Sequence, residues 1–425
     1  VLKEGNTSES TAEGAWDDFD SEDPIEGFGG WRCIINRNES GETDALYEPG
    51  LDAVATLEAV LQAANFVVSM DDTSGSVLSL KCKQPFTIEV QDSKGGASLV
   101  GIKNETLTFT NLPGKNVPIG YIVKVVGNAS ATQDDFYVKY EQETGGEGVW
   151  KETIAPSLDT GFDVTTMPHR LIRLYDAAGV KFFLYEPVKE VAAGTGATSS
   201  FGARFGWSSR KAGDDTSNPF PTFVGGKIND ILFHKNRFGV LSDENIIFSE
   251  AGNYYNFFPI SVMTALDGNP IDISVSNNQV SILTHAAAFD QSLLLFSDFQ
   301  QFSLNSEGEG FTPSTVSVDV VTQFESTSKA PPVSSGKFVY FPFKRGEYSG
   351  VREYFVDTGS ADTNDATDIT SHVPQYIKGN ITTMIVSSTN DMVAVLSDDD
   401  LKKVYIYKNF WQGDEKLQNS WSHWT

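Results

Sequence analysis

The 425-residue chain carries 57 Asp and Glu against 31 Lys and Arg, a formal net charge of −26. Such acidity repels phosphate and argues against tight nucleic-acid binding through basic patches, although it could serve only solubility. Because single cores stop growing beyond about 250 to 300 residues, the length predicts at least two domains. No run approaches the roughly 18 consecutive apolar residues of a membrane-spanning helix, so no such segment is predicted.

Residues 1–50 hold thirteen acidic and three basic side chains and show no apolar period. This composition predicts an acidic, loosely ordered segment. The densest acidic run, 17–23, lacks the glycine that a calcium loop places at its turn. Cys33 and Cys82 lack the spacing of a metal site, so we expect buried free thiols. No metal and no cofactor is predicted.

Residues 51–154 are predicted to form a small α+β domain. Apolar residues recur at helical spacing across 51–66, which predicts one helix. Short β-branched runs separated by turn residues predict one hairpin at 66–80, a second at 86–102, and further strands that end near Trp150. Residues 155–205 are interpreted as connecting strands broken by prolines, followed by a flexible Gly-rich loop.

Residues 206–425 repeat a hairpin unit, and the repetition indicates the architecture. In the first copy, a Ser-Asp-Glu-Asn turn is expected to place Leu241 and Ile246 on adjacent antiparallel strands. With Leu241, Phe296, Phe341 and Leu396 as equivalent points, the unit recurs in steps of 55, 45 and 55 residues. Propeller blades have about 40 to 50 residues. We therefore predict a mainly β chain with β-propeller-like blades over 206–425, and a β-sandwich is the alternative.

Residues that could carry catalysis are few. The five histidines are scattered without metal-ligand spacing and are interpreted as structural. Two carboxylate pairs, Asp214-Asp215 and Asp243-Glu244, could serve a glycosidase, which needs two convergent carboxylates. Turn capping explains the second pair equally well, and acidic residues are abundant enough to pair by chance. No catalytic residue is therefore predicted.

An aromatic-rich region around residues 207–259 is the candidate for an interface. Aromatic side chains mixed with prolines are typical of a blade core, of a subunit interface or of a sugar-stacking surface, and the sequence leaves all three open. The residues predicted to form a subunit or partner interface are Trp207, Asp214, Asp215, Phe220, Phe223, Tyr254 and Tyr255.

The same region carries a family resemblance. Matching stretches follow one another in collinear order over about half of the chain, from near Thr106 to the C-terminus. They include Trp207, 210–215, 218–225, 228–230, 241–245, 256–259, 270–272, 294–298 and the closing 420–424. On these residues the chain resembles the nozzle proteins, or tail tubular proteins B, of T7-like podoviruses, which are short-tailed bacteriophages.

The resemblance implies a structural protein of the virion tail and not an enzyme. It implies a homo-oligomeric, hexameric ring that meets the tail adaptor protein, helps dock the tail fibres and conducts double-stranded DNA during ejection without sequence-specific binding. Acidic walls would suit such a conduit, because they offer phosphate no attachment points. Together with the missing initiator Met, the resemblance predicts a fragment of a longer chain. The alternative is a tail propeller that binds or degrades glycans on the host surface.

Overall fold

The computed structural model describes residues 3–5, 31–37, 67–70, 77–82, 87–89, 99–114, 117–126, 135–142, 148–175, 179–190 and 205–425, the last with gaps at 277, 290–291, 307, 309, 358–362 and 413–414. These residues form strands, turns and a short 3₁₀ turn at Phe109–Asn111, with no α-helix among them. The mainly β prediction is confirmed. The helix predicted at 51–66 and most of the acidic segment 1–50 lie outside the described residues, so the α+β character predicted for 51–154 is not supported.

Contacts divide the chain into two compact units. The first comprises Val1–Phe162, Ser209–Pro219 and Pro259–Ala265, and the second comprises Asp163–Ser208, Phe220–Phe258 and Leu266–Thr425. The chain therefore passes between the units several times within the aromatic-rich region. Within the described ranges, no helix has the length and apolar character needed to cross a bilayer.

Among its described residues, the first unit contains ten strands in three sheets. They are β1 (Lys3–Gly5), β2 (Trp31–Arg37), β3 (Val67–Met70), β4 (Val77–Cys82), β5 (Thr87–Glu89), β6 (Leu99–Ile102), β7 (Glu105–Thr106), β8 (Ile122–Val125), β9 (Phe136–Gln142) and β10 (Gly148–Thr153). The sheet orders are β3-β4-β2-β6, β1-β5 and β10-β9-β8-β7. The hairpin predicted at 66–80 is confirmed as β3–β4. The hairpin predicted at 86–102 is wrong, because β5 pairs with β1 and β6 pairs with β2.

Alternation along β9 builds the core of the first unit. Phe136, Val138 and Tyr140 point inward while their neighbours are more exposed, as expected for a strand with one buried face. Trp150 on β10 packs edge-to-face on Tyr140 with ring centroids 5.2 Å apart. Its indole N–H donates a hydrogen bond of 2.8 Å to the carbonyl of Pro113, so the polar end of this half-buried side chain has a partner.

The described part of the second unit contains nineteen strands. A separate hairpin is formed by β11 (His169–Tyr175) and β12 (Lys181–Pro187). The first of four further sheets has β13 (Ile228–His234), β14 (Arg237–Ser242), β15 (Asn245–Phe248) and β16 (Ile271–Ser274). The second has β17 (His285–Phe289), β18 (Ser292–Phe296), β19 (Gln301–Ser306) and β20 (Val316–Thr322). The third has β21 (Val333–Ser335), β22 (Phe338–Arg345), β23 (Tyr348–Asp357), β24 (Thr363–Asp368) and the short β25 (Ile377–Lys378). The fourth has β26 (Ile381–Ser387), β27 (Met392–Ser397), β28 (Val404–Gln412) and β29 (Glu415–Trp424).

Each of the four sheets is an antiparallel meander whose main strands lie in chain order. The predicted register of the first turn is confirmed, since Leu241 lies opposite Ile246. Asp243 in that turn has φ of 48°, a left-handed conformation that Asp tolerates better than most residues. None of the sheets formed by the described strands closes on itself, so the predicted propeller is not established by sheet pairing.

Successive sheets of the second unit share hydrophobic cores. One cluster joins β14 to β16 with β18 and β19, and includes Leu241 and Leu295. A second joins the second sheet to the third through Phe296 and Phe341. A third joins the third sheet to the fourth through Tyr340 and Tyr407. The middle sheets are therefore buried on both faces, which explains why strands such as β18 read as continuous apolar runs.

The opening strands of the four sheets are neighbours. β13 contacts β17, β17 contacts β21, and β21 contacts β26. The hydroxyl of Ser334 on β21 donates to the carbonyl of Ala288 on β17. Successive sheets of this unit thus approach one another along equivalent first strands as well as through their faces.

Candidate functional site

Trp207 lies half-buried within the second unit. Its ring packs edge-to-face on Tyr255, with centroids 5.7 Å apart, and lies tilted against Phe257 and Phe238 at 6.0 and 6.3 Å. The backbone N–H of Ser208 donates a 2.8 Å hydrogen bond to the carbonyl of Tyr255. The predicted interface residues Trp207 and Tyr255 are therefore brought together, and both contribute to internal packing.

Phe220 and Phe223 belong to the same aromatic cluster. Phe220 packs edge-to-face on Phe258 at 5.5 Å, and Phe223 packs in the same way on Phe257 at 5.2 Å. Phe223, Phe257 and Phe258 are buried, whereas Phe220 is half-buried. These are contacts of a core, so Phe223 has no free surface to offer a partner.

Tyr254 is the most exposed of the predicted aromatic residues, at 38%. Its hydroxyl donates a 2.7 Å hydrogen bond to Asn236 Oδ1, and its ring packs edge-to-face on Phe233, which is 69% exposed. Sequence reasoning missed Phe233. The available signal was the period of two along β13, which leaves Ile231 and Phe233 exposed on the same face.

Asp214 and Asp215 lie in the first unit, where both are engaged. Asp214 Oδ1 accepts hydrogen bonds from the backbone N–H groups of Thr216 and Ser217 at 3.0 and 2.9 Å, and from the Ser217 hydroxyl at 3.0 Å. Asp215 pairs at 2.7 Å with Arg210, whose side chain is fully buried. Asp214 is therefore a turn cap, and Asp215 is the counterion of a buried guanidinium.

Replacement of Asp214 with alanine is expected to lower the free energy of unfolding by about 1 kcal/mol, because two backbone N–H groups lose their acceptor. Asp214→Asn keeps an acceptor oxygen and should recover most of the loss. Hydrogen bonding, first from the Ser217 backbone, lowers the pKa of Asp214, so its contribution is present at neutral pH and is lost as the pH falls through that lowered pKa. Urea denaturation measures the change, and the exposed Asp159→Ala is the control. Equal stability of the two Asp214 variants would contradict the cap.

Asp243 and Glu244 connect the first sheet to the chain that enters the second. The carbonyl of Asp243 accepts a 2.7 Å hydrogen bond from the N–H of Leu283. Glu244 Oε1 accepts a 2.7 Å hydrogen bond from the N–H of Ser281. The Glu244 carboxylate therefore has a structural partner, and Asp243 contributes its backbone carbonyl to the same connection.

His285 on β17 lies where three segments meet. Its Nδ1 lies 3.3 Å from Asp230 Oδ2 on β13, and its Nε2 lies 3.0 Å from the carbonyl of Ser328, which precedes β21. Burial alone lowers the pKa of His285, but the hydrogen bonds to Asp230 and Ser328, together with the Asp230 charge, raise it overall. A protonated ring donates to both partners at once, so the imidazolium stabilises this junction.

The contribution of His285 to the free energy of unfolding should consequently fall as the pH rises. A folded-state pKa above the ordinary value of about 6.5 gives stabilisation that is complete below that value and is lost as the pH rises through the raised pKa. His285→Gln should remove this dependence. Urea denaturation at about pH 5.5 and about pH 8.5 compares the variant with the wild type. The exposed His372→Gln serves as control, and an unchanged dependence in His285→Gln would contradict the assignment.

The described residues contain no group of three or more His, Cys, Asp or Glu that could hold a metal ion. Of the interface residues predicted from the sequence, the most exposed are Tyr254, which packs on Phe233, in the second unit and Asp215 in the first. The contacts of the predicted interface residues are those of packing and turn capping.

A family model and a protein of known name both match this chain. A family model described as bacteriophage nozzle protein matches residues 44–425. The tail tubular protein gp12 of Escherichia phage T7 is 37% identical over 317 residues, a match that covers 75% of this chain and 37% of the T7 protein. The chain therefore spans little more than a third of the length of this relative.

Among solved structures, similarity is weak. A putative 6-phosphogluconolactonase from Bacteroides uniformis has a TM-score of 0.30 and 10% identity, with 93% of this chain and 100% of that chain covered. A periplasmic gluconolactonase from Pseudomonas aeruginosa has a TM-score of 0.29 and 10% identity, with 93% and 99% covered. Scores this low carry no argument about the present chain.

Proposed function

The chain belongs to the bacteriophage nozzle protein family, and from that membership we propose that it forms the ring-shaped nozzle of a short phage tail. It is a structural component of the virion tail. The observation that carries the proposal is the family match across 44–425. In this proposal the ring conducts double-stranded DNA during ejection, meets the tail adaptor protein and helps dock the tail fibres, and it catalyses no reaction.

The architecture proposed for 206–425 is a set of propeller blades. Four consecutive antiparallel meanders support it, as do the hydrophobic cores shared by successive sheets. The neighbouring positions of β13, β17, β21 and β26 add to this support, because the innermost strands of propeller blades lie side by side around a central axis. His285, which bonds to two neighbouring segments, fits such a junction.

The charge supports passage of DNA rather than its capture. Binding to duplex DNA draws on counterion release when Lys and Arg contact phosphates. A chain with 57 acidic and 31 basic residues offers few such contacts. In a ring, this composition would repel the phosphate backbone at short range, within the Debye length of about 8 Å at physiological salt. The duplex would then move without sequence-specific attachment.

The assembly is tested by light scattering of the purified chain, followed by electron-microscope imaging of the largest species. Rings of six subunits with an open centre are expected. Assemblies without an open centre would overturn the conduit. Hydrolysis of a host glycan that is lost in Asp214→Ala, Asp215→Ala, Asp243→Ala or Glu244→Ala would favour the alternative of a glycan-directed tail protein.

A further inference from the structure

The hairpin of β11 and β12 has two unlike faces. Residues directly opposite each other on paired antiparallel strands share a face, and the register pairs Leu171 with Tyr185 and Arg173 with Phe183. On this face, the large apolar residues are between 48% and 69% exposed. These residues are Leu171, Tyr175, Phe183 and Tyr185. We call them, with Arg173 and Lys181, the exposed hairpin face.

The opposite face is fixed to the rest of the second unit. Leu174 on this face is buried, whereas Phe182 opposite it is 39% exposed. Arg170 donates to Glu186 at 3.0 and 2.7 Å, and also to the carbonyls of Phe205 and Lys189 at 2.5 and 3.1 Å. The hairpin is therefore anchored by one face, and the exposed face is held in a defined orientation.

The exposed hairpin face is already ordered. His169 stacks on Tyr185, with centroids 5.1 Å apart and an interplanar angle of 14°. The Arg173 guanidinium lies 5.9 Å from the centre of the Tyr175 ring. Among the described strands, β11 and β12 pair only with each other, and an isolated two-stranded hairpin is only marginally stable in water. A preformed, exposed aromatic face on such an element is typical of a contact surface.

Charge indicates what covers this face. Its charged residues, Arg173 and Lys181, are both basic and exposed, whereas the whole chain has a net charge of −26. A second copy of the chain therefore presents a surface of complementary sign. Two exposed hairpin faces packed against each other would instead juxtapose like charges. The contact is thus heterologous, and repeated heterologous contacts close into a ring when the rotation allows it.

We propose that the exposed hairpin face binds an acidic surface of the neighbouring copy of this chain and sets the direction of ring assembly. This inference rests on the proposed function, since it assigns the contact through which that ring forms. Seven residues per strand span about 23 Å. Two strands of that length cover less than the roughly 800 Å² per partner of a stable interface, so the hairpin is the anchor within a larger contact.

The test compares self-association of the full chain and its variants by light scattering across protein concentrations. Phe183→Ser/Tyr185→Ser removes two aromatic anchors and should weaken association at least about 30-fold. Arg173→Glu/Lys181→Glu reverses the charge and should weaken it further at low salt. The controls are Phe299→Ser, another exposed aromatic residue, and Lys227→Glu/Lys235→Glu, which makes the same charge change elsewhere. Unchanged circular dichroism and melting temperature verify the fold of each variant.

A photo-crosslinking residue at Phe183 locates the partner surface. A crosslink to an acidic segment of a second copy, together with assembly that is lost only in the hairpin variants, supports the inference. Normal rings formed by the hairpin variants overturn it and leave the proposed nozzle standing. Hairpin-dependent association without an open ring supports the contact and overturns the conduit. A wild-type chain that stays monomeric at all concentrations overturns the inference.

Discussion

Replacement of Arg237 by methionine will lower the free energy of unfolding by about 4 kcal/mol, because several buried carbonyl groups lose a charged donor together. Arg237 is 1% exposed. Its Nη1 donates to the carbonyls of Ser249, Gly268 and Asn269 at 2.8, 3.1 and 2.6 Å. Its Nη2 donates to those of Asp267 and Phe311 at 2.9 and 3.2 Å. One side chain on β14 thus ties the residue that follows β15 to the segments that enter β16 and β20.

Arg237→Lys is expected to recover little of this loss, because a compact ammonium cannot donate in the two directions that the planar guanidinium serves. Urea denaturation of both variants measures the difference. Lys235→Met removes a nearby exposed cation and should stay within about 0.5 kcal/mol of the wild type. A cost below about 1 kcal/mol for Arg237→Met would show that water replaces the guanidinium.

Lys416→Met should cost about 3 to 5 kcal/mol, because it leaves the carboxylate of Glu353 buried without its cation. The Glu353 side chain is 3% exposed and that of Lys416 is 17% exposed. The ammonium also lies 4.9 Å from the ring centre of Trp411 and 5.9 Å from that of Tyr407. Since Glu353 belongs to the third sheet and Lys416 to the fourth, the pair holds two sheets together.

A double-mutant cycle measures this coupling. Glu353→Met combined with Lys416→Met should be more stable than Lys416→Met alone, since no buried charge remains. Burial, and then the Glu353 charge, raise the pKa of Tyr407, so both tyrosine and carboxylate belong to one electrostatic cluster. Additive costs in the double variant would show that Glu353 and Lys416 act independently.

Local sequence patterns predicted the strands well because they depend on near neighbours. The turn after Leu241 and the register opposite Ile246 follow from residues within one hairpin. The hairpin predicted at 86–102 is wrong because the pairing there is not local. Strand β6 pairs with β2, which lies more than sixty residues earlier in the chain. The alternation of apolar and polar residues within one strand does not show which distant strand pairs with the edge of that strand.

The candidate site was harder to predict because its partners are backbone groups or distant side chains. Arg237 is satisfied by five carbonyls, which any sequence supplies. Lys416 meets Glu353 across 63 positions. The capping role of Asp214 could be predicted from the sequence, because a Ser three residues later on a turn is typical of side-chain capping. The burial of Phe223 could not be predicted from the sequence, because an aromatic residue in a loop can belong to a core as readily as to a surface.

The interleaved cores of the second unit restrict how such a chain can evolve. Leu293 and Leu295 of β18 face one cluster, whereas Leu294 and Phe296 face the next. A one-residue deletion inside β18 would exchange these faces and damage both clusters at once. Changes in length are therefore tolerated in the turns, or as the gain or loss of a whole four-stranded sheet, and the middle strands keep their residue count while their side chains vary.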